Sequence, residues 1–252
     1  MIQDLHSHTY YSFCGKDNPE ALIEAAIAGG IEVFGFSDHL HGIGFCRSDA
    51  YKAPLETVPL KYKNAALQKY FDHLTLLRDK YADKLRILRG VEVSTESLRE
   101  KTIMPEDVDI SCFDYCLIES LASKTSVTGG DLFSYAERCG TPLVGVAHTD
   151  LFSFIEARGE EPYTYFCKMA KQNIFWEMNV SFDTIHNYQE HAYMLKFFTD
   201  AEQQTIVRES GVLVSIGFDG HRIEDYLPER IKDYCQRLSE MKIKMPFEEV
   251  KV

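Results

Sequence analysis

The chain has 252 residues, 45% of them hydrophobic and 26% charged, and a formal net charge of −12. That length fits one large domain or two small ones, and the balance is that of a soluble globular protein. The acidic surplus argues against a broad nucleic-acid surface, which needs a basic field, but it leaves room for a small anion held by metal and one or two arginines. Seven cysteines, with no CxxC spacing, point to reduced thiols and a cytoplasmic setting. No stretch approaches the roughly 20 apolar residues of a membrane helix, and the start lacks the basic-then-apolar pattern of a signal peptide.

Ile2 to Leu5 reads as a short strand, followed at once by His6-Ser7-His8. Asn18-Pro19-Glu20 opens a helix with an N-cap and a first-turn proline, and Gly29-Gly30 closes it. Val33 to Phe36 is a buried type of strand that ends in Ser37-Asp38-His39. The stretch from about Leu40 to Leu60, with Arg47, Pro54 and Pro59, is long for a compact domain and is a candidate lid. Leu67, Tyr70, Phe71, Leu74, Leu77 and Tyr81 recur at helical spacing, which places His73 as a helix histidine.

A third strand runs from Leu85 to Glu92 and a fourth from Phe113 to Ile118, ending near Glu119-Ser120. Asp131 caps a helix that stops at Gly140. Pro142 to Ala147 is a fifth strand, with His148-Thr149-Asp150 at its end. A helix over Tyr163 to Gln172 leads to a sixth strand, Ile174 to Val180. Thr199 and Glu202 make a capping box for a helix ending at Gly211. The seventh strand, Val212 to Ile216, runs into Asp219-Gly220-His221, and a last helix covers Ile223 to Met241.

Strands alternating with helices mean a parallel sheet with crossover helices. An open sheet and a closed barrel share that pattern. Metal-type residues end at least five of the seven strands, and only a barrel brings all those ends to one rim. The expectation is a single domain over residues 1–252, an α/β barrel of seven strands.

His6, His8, His39, His148 and His221 lie at strand ends with Glu92 and Asp219. Singly, each histidine favours a surface or hydrogen-bonded core role over a ligand role. Jointly, imidazoles and carboxylates suit zinc, manganese or iron, and a carboxylate such as Glu92 can bridge two ions. Arg222 and Arg47 offer the planar fork that suits phosphate. His41 is either a loop histidine or an outer contact of the site, and His186 and His191 receive no assignment.

Asp4 to Thr9, Gly35 to His39, Gly90-Val91-Glu92, Ala147 to Asp150 and Phe218 to His221 stand in the order and at the separations of a known family. Together they resemble the polymerase and histidinol phosphatase (PHP) family. Lys69-Tyr70 through Glu92, and Trp176-Glu177-Met178-Asn179, are similar to its histidinol-phosphatase branch. The resemblance implies a distorted (β/α)7 TIM-like barrel with two to three divalent ions. By motif, His6, His8, Glu92 and Asp219 would surround the first, Glu92 and His148 would hold the second, and His39 and His221 the third.

Two positions depart from the pattern. Cys14 stands where many members have a histidine, and it reads either as a zinc-ligating thiolate or as a plain buried thiol. After strand four the chain offers Glu119-Ser120-Leu121-Ala122 and no histidine, so Glu119 or water would have to substitute.

The implied activity is that of a metal-dependent phosphatase on a small phosphate monoester such as L-histidinol phosphate. Bridged ions would lower the pKa of bound water to supply an attacking hydroxide, Arg222 would grip phosphate oxygens, and Asp150 would carry a proton. The alternatives are a metal-binding barrel with little catalysis, serving as a ligand-binding or regulatory module, and hydrolysis of a phosphodiester or amide bond. No nucleic-acid or membrane partner is expected.

Overall fold

Short apolar runs that alternate with capped helices fold as the pattern requires. The structure, a computed structural model, describes residues 1–43, 60–98, 101–102, 104 and 108–248. Among them are β1 (Gln3–Asp4), α1 (Pro19–Ala28), β2 (Val33–Phe36), α2 (Leu60–Lys80), β3 (Arg86–Ser94), β4 (Ser97–Leu98), β5 (Lys101–Thr102) and β6 (Tyr115–Glu119). These are followed by α3 (Leu132–Cys139), β7 (Val144–Val146), α4 (Leu151–Ala157), α5 (Pro162–Lys171), β8 (Ile174–Asn179), α6 (Ala192–Phe197), α7 (Ala201–Ser210), β9 (Val214–Gly217) and α8 (Pro228–Glu240). Arg47 and most of the long candidate lid fall outside the described residues, which include only its first four positions and Leu60 at the start of α2.

Seven strands pair in parallel in the order β1-β2-β3-β6-β7-β8-β9, and β4 with β5 forms a small separate hairpin. The ends of the sheet meet: Leu5 N donates to Ile216 O at 3.0 Å, His8 N donates to Gly220 O at 2.8 Å, and Ser7 bridges Gly220. The result is a nearly closed, distorted (β/α)7 barrel, as expected.

Because side chains alternate across a strand, each strand feeds two cores. Phe34, Phe36, Ile87, Val91, Cys116 and Ile118 face the surrounding helices. Leu5, Val33, Leu88, Tyr115, Leu117, Ala147 and Phe175 fill the lumen. Tyr115 is the largest plug. Its hydroxyl lies 2.7 Å from Leu5 O and 3.0 Å from Phe36 O, tying a middle strand to the first two. A Cβ at Gly35 or Gly90 would come within 2.5 Å of the Tyr115 ring or hydroxyl, so these strands carry glycine where the ring passes.

Caps follow the chemistry of their residues. Asn18 Oδ1 accepts from Ala21 N at 2.9 Å, Asp131 accepts from Ser134 N at 3.2 Å, and Gly140 ends α3 at φ +68°. Three expectations need correction. Asp200, not Thr199, caps α7 through the N–H groups of Glu202 and Gln203, because the Thr199 hydroxyl is spent on Leu195 O and Lys196 O of α6. The last helix begins at Pro228, not Ile223. A short 3₁₀ turn over Ile223–Asp225 ends in extended Tyr226, and Leu227 stays out of the helical region, as the residue before a proline does. Finally, α4 and α6, of seven and six residues, are too short to show periodicity and stand where no helix is expected.

Candidate metal centre

The lumen parity continues upward into chemistry. On β3 the inward positions are Leu88, Gly90 and Glu92; on β6 they are Tyr115, Leu117 and Glu119; on β8, Phe175 and then Glu177. Apolar residues fill the barrel below and carboxylates cap it above.

Glu92, 1% exposed, is the hub. Its Oε1 lies 3.4 Å from His6 Nε2 and 3.2 Å from His148 Nε2, and its Oε2 lies 3.5 Å from His8 Nε2 and 2.9 Å from His39 Nδ1. Asp219 Oδ1 approaches from β9, 3.4 Å from His6 Nε2, 3.1 Å from His8 Nε2 and 3.7 Å from His221 Nε2. Glu119 Oε1 sits 3.3 Å from His39 Nδ1, and the Cys14 thiol joins His8 and His221. Thus His6, His8, Cys14, His39, Glu92, Glu119, His148, Asp219 and His221 converge on one basin.

These groups fit divalent ions. His6 Nδ1 lies 2.6 Å from Glu177 Oε1 and donates to it, which leaves Nε2 as the nitrogen facing His8, Glu92 and Asp219. That carboxylate–imidazole arrangement fixes the tautomer a metal ligand needs. His39 Nδ1 and Glu92 Oε2 are both buried, lie 2.9 Å apart, and have no hydrogen bond of good geometry among the described residues. Among the described residues, five triads have donor atoms that lie within 4.8 Å of one another, including His6-His8-Glu92, Glu92-Glu119-His148 and His8-Cys14-His221.

The electrostatics is that of cations and anions crowded out of water. Burial pushes the His6 imidazole down, but Asp219, Glu177 and Glu92 together hold it well above its ordinary value. Burial and the neighbouring His39 and His221 take His8 down to about 3, although it accepts support from Asp219. Burial raises Glu92, yet His6 and His39 hold it well below the usual carboxylate range. Asp219 is likewise held low, chiefly by His6 against its own burial. Burial would raise the Cys14 thiol, but hydrogen bonds with His221 and His39 lower it, the direction a thiolate ligand requires.

Backbone strain marks the same rim. Ser120 (φ +61°), His148 (φ +26°) and Asp219 (φ +57°) follow β6, β7 and β9 in the left-handed region, which disfavours non-glycine residues. Two are pinned: Asp219 N donates to His6 O at 2.8 Å, and His148 N donates to Glu177 Oε2 at 2.8 Å.

The two expected catalytic residues lie at the margin. Asp150 caps α4, with Oδ1 accepting from Ser153 N at 3.0 Å and Oδ2 from the Ser153 hydroxyl at 2.7 Å. Arg222 stands next to His221 and 3.5 Å from the exposed Glu224, and its Nε is buried without a hydrogen bond among the described residues. His41 stacks obliquely near His39 and presents a nitrogen to His39 and Glu119. His73 pairs with the Tyr11 hydroxyl at 2.9 Å, away from the basin.

Sequence pattern alone misses Glu177, Asp183 and His186. Glu177 sits inside an apolar strand, and its signal is inward parity with Phe175. Asp183 and His186 lie in the loop after β8 and carry no strand-end signal. A cavity of about 390 Å³ opens beside His148, lined by Ser120, Ala122, Thr149, Asp150 and Phe154.

The sequence model of the PHP domain matches residues 4–244. The fold is similar to that of histidinol phosphate phosphatase from Lactococcus lactis, solved with zinc, L-histidinol and phosphate: TM-score 0.55, 15% identity, covering 97% of this chain and 95% of that one. It is also similar to a putative histidinol phosphatase from Listeria monocytogenes, with TM-score 0.54, 16% identity and coverage of 88% and 96%. No curated protein matches the chain by sequence.

Proposed function

The chain belongs to the PHP domain family, and on that premise we propose that it is a metal-dependent phosphatase acting on a small phosphate monoester. The observation that carries this reading is the buried carboxylate of Glu92, within 3.5 Å of four imidazoles from three different strand ends. His6, His8, Glu92 and Asp219 would hold one ion, Glu92, Glu119 and His148 a second, and Cys14, His39 and His221 a third. Bound divalent ions supply Lewis acidity and lower the pKa of water.

The chain's own residues do the rest. Glu177 keeps His6 in the ligating tautomer and pins the strained His148 backbone. Arg222, whose buried Nε has no hydrogen bond among the described residues, would bind a non-bridging phosphate oxygen. The cavity beside His148 would take the organic part of the ester, and Asp150 at its wall, after releasing Ser153, would take a proton from the attacking water and return it to the leaving alkoxide. L-histidinol phosphate is the first substrate to try, since the Lactococcus structure holds L-histidinol and phosphate.

The test is turnover of L-histidinol phosphate and of a generic aryl phosphate, with zinc or manganese added, beside a His8→Ala control. Metal-stimulated hydrolysis that the control lacks is expected, and its absence from every monoester overturns the reading. A second reading, a metal-binding module with little catalysis, is favoured by one observation: both Asp150 oxygens are committed to Ser153. Ion binding without turnover on any substrate would decide for it.

A further inference from the structure

The loop after β8 brings a second group of donors to the far side of His221. Asp183, His186 and His221 present donor atoms within 4.8 Å of one another. Asp183 is 1% exposed and His221 6%. Asp183 Oδ1 is committed to His186, accepting from its backbone N at 2.8 Å and from its Nδ1 at 2.7 Å. Asp183 Oδ2 points the other way, towards His221 Nδ1 at 4.0 Å. The edge of the group is closed by Asp219 Oδ2, 3.2 Å from His186 Nε2.

The decisive atom is His221 Nδ1. It is buried and has no hydrogen-bond partner among the described residues, in a molecule whose other buried polar atoms mostly find one. A gap of 4.0 Å to Asp183 Oδ2 is too wide for a hydrogen bond. It is the span that an ion bridges with two bonds of about 2.0–2.2 Å at a wide angle. The ring's other nitrogen faces a different neighbour, lying 3.7 Å from Asp219 Oδ1 on the Glu92 side. His221 therefore addresses two compartments, and only one of them belongs to the ligand set proposed above.

We infer that Asp183, His186 and His221 Nδ1, with Asp219 Oδ2 at the edge, form a further divalent-cation site on the β8 side of the rim. Two imidazoles with one or two carboxylates suit zinc or manganese over calcium. The ion takes the place of the proton that His186 shares with the carboxylates, and that proton leaves to solvent. When His221 Nε2 is also on an ion, the ring is an imidazolate and its proton leaves as well. The inference rests on the preceding reading for His221 alone, because Asp183 and His186 lie outside that ligand set.

Zinc bound per chain, measured by equilibrium dialysis with elemental analysis, tests it. Three proteins are compared: wild type, the double variant Asp183→Asn, His186→Gln, and His8→Ala. The expected result is one ion fewer in the double variant with the others retained, and a zinc-edge anomalous peak within about 2.5 Å of His221 Nδ1 in wild-type crystals. An unchanged ion count in the double variant, or no such peak, overturns the site. Loss of ions in His8→Ala reports on the Glu92 cluster instead, so the two readings fail separately.

Discussion

Glu177 shows what a single buried acid contributes without touching a substrate. It accepts from His6 Nδ1 at 2.6 Å and from His148 N at 2.8 Å, so one carboxylate orients two donors of the basin. Glu177→Gln keeps the shape but puts an amide N–H against one of those donors. Zinc affinity should fall about 10–100-fold, read by competition with a chelating dye; equal affinity in the two proteins would sink the assignment. Gly217→Ala should act on the same contact, since its Cβ would lie 2.1 Å from Glu177 Oε1 and 2.6 Å from His6 Cβ. A cost of about 1–3 kcal/mol in urea unfolding is expected, together with weakened zinc binding. At this scale the sequence was legible where polar residues interrupt a strand end, as at His6, Glu92 and Asp219. It was opaque where a carboxylate hides within an apolar run, and where loop residues such as His186 meet the site only in three dimensions.

At the scale of the element, capping chemistry carried most of the information. Asn18-Pro19 and the pair Asp131 and Gly140 locate α1 and α3 to the residue, because those side chains satisfy backbone groups the helix leaves open. Asp131→Ala should lower stability by about 1 kcal/mol at neutral pH. The Ser134 hydroxyl and N–H hold the Asp131 carboxyl below its ordinary value. Its contribution is therefore present above the unfolded value near 3.8 and is lost as pH falls below it. The gap between wild type and variant should narrow in urea melts at pH 3.5 relative to pH 7; a constant gap would contradict the cap. Thr199 misled because a residue at the junction of two helices can serve either one, and here its hydroxyl serves the helix before it.

For the whole molecule, closure was legible through function: donors at both ends of the chain make sense only if the first and last strands are neighbours. The donors gathered at that rim come together only in the folded chain, so ions bound there stabilise it. Dialysis against a strong chelator should lower the thermal midpoint, and zinc or manganese should restore it; at 100-fold excess over Kd the gain is about 2.7 kcal/mol. Identical melting with and without ions would contradict a resident metal. No described helix is long and apolar enough to cross a membrane.

The seam between β1 and β9 has a consequence for biosynthesis. Asp219 and His221 are synthesised more than 200 positions after His6 and His8, so the donors cannot enclose an ion until β9 and the turn that follows it have been made. A nascent chain that lacks β9 therefore holds at best loosely bound cations, and the pace at which the centre matures is set by the docking of β9 beside β1.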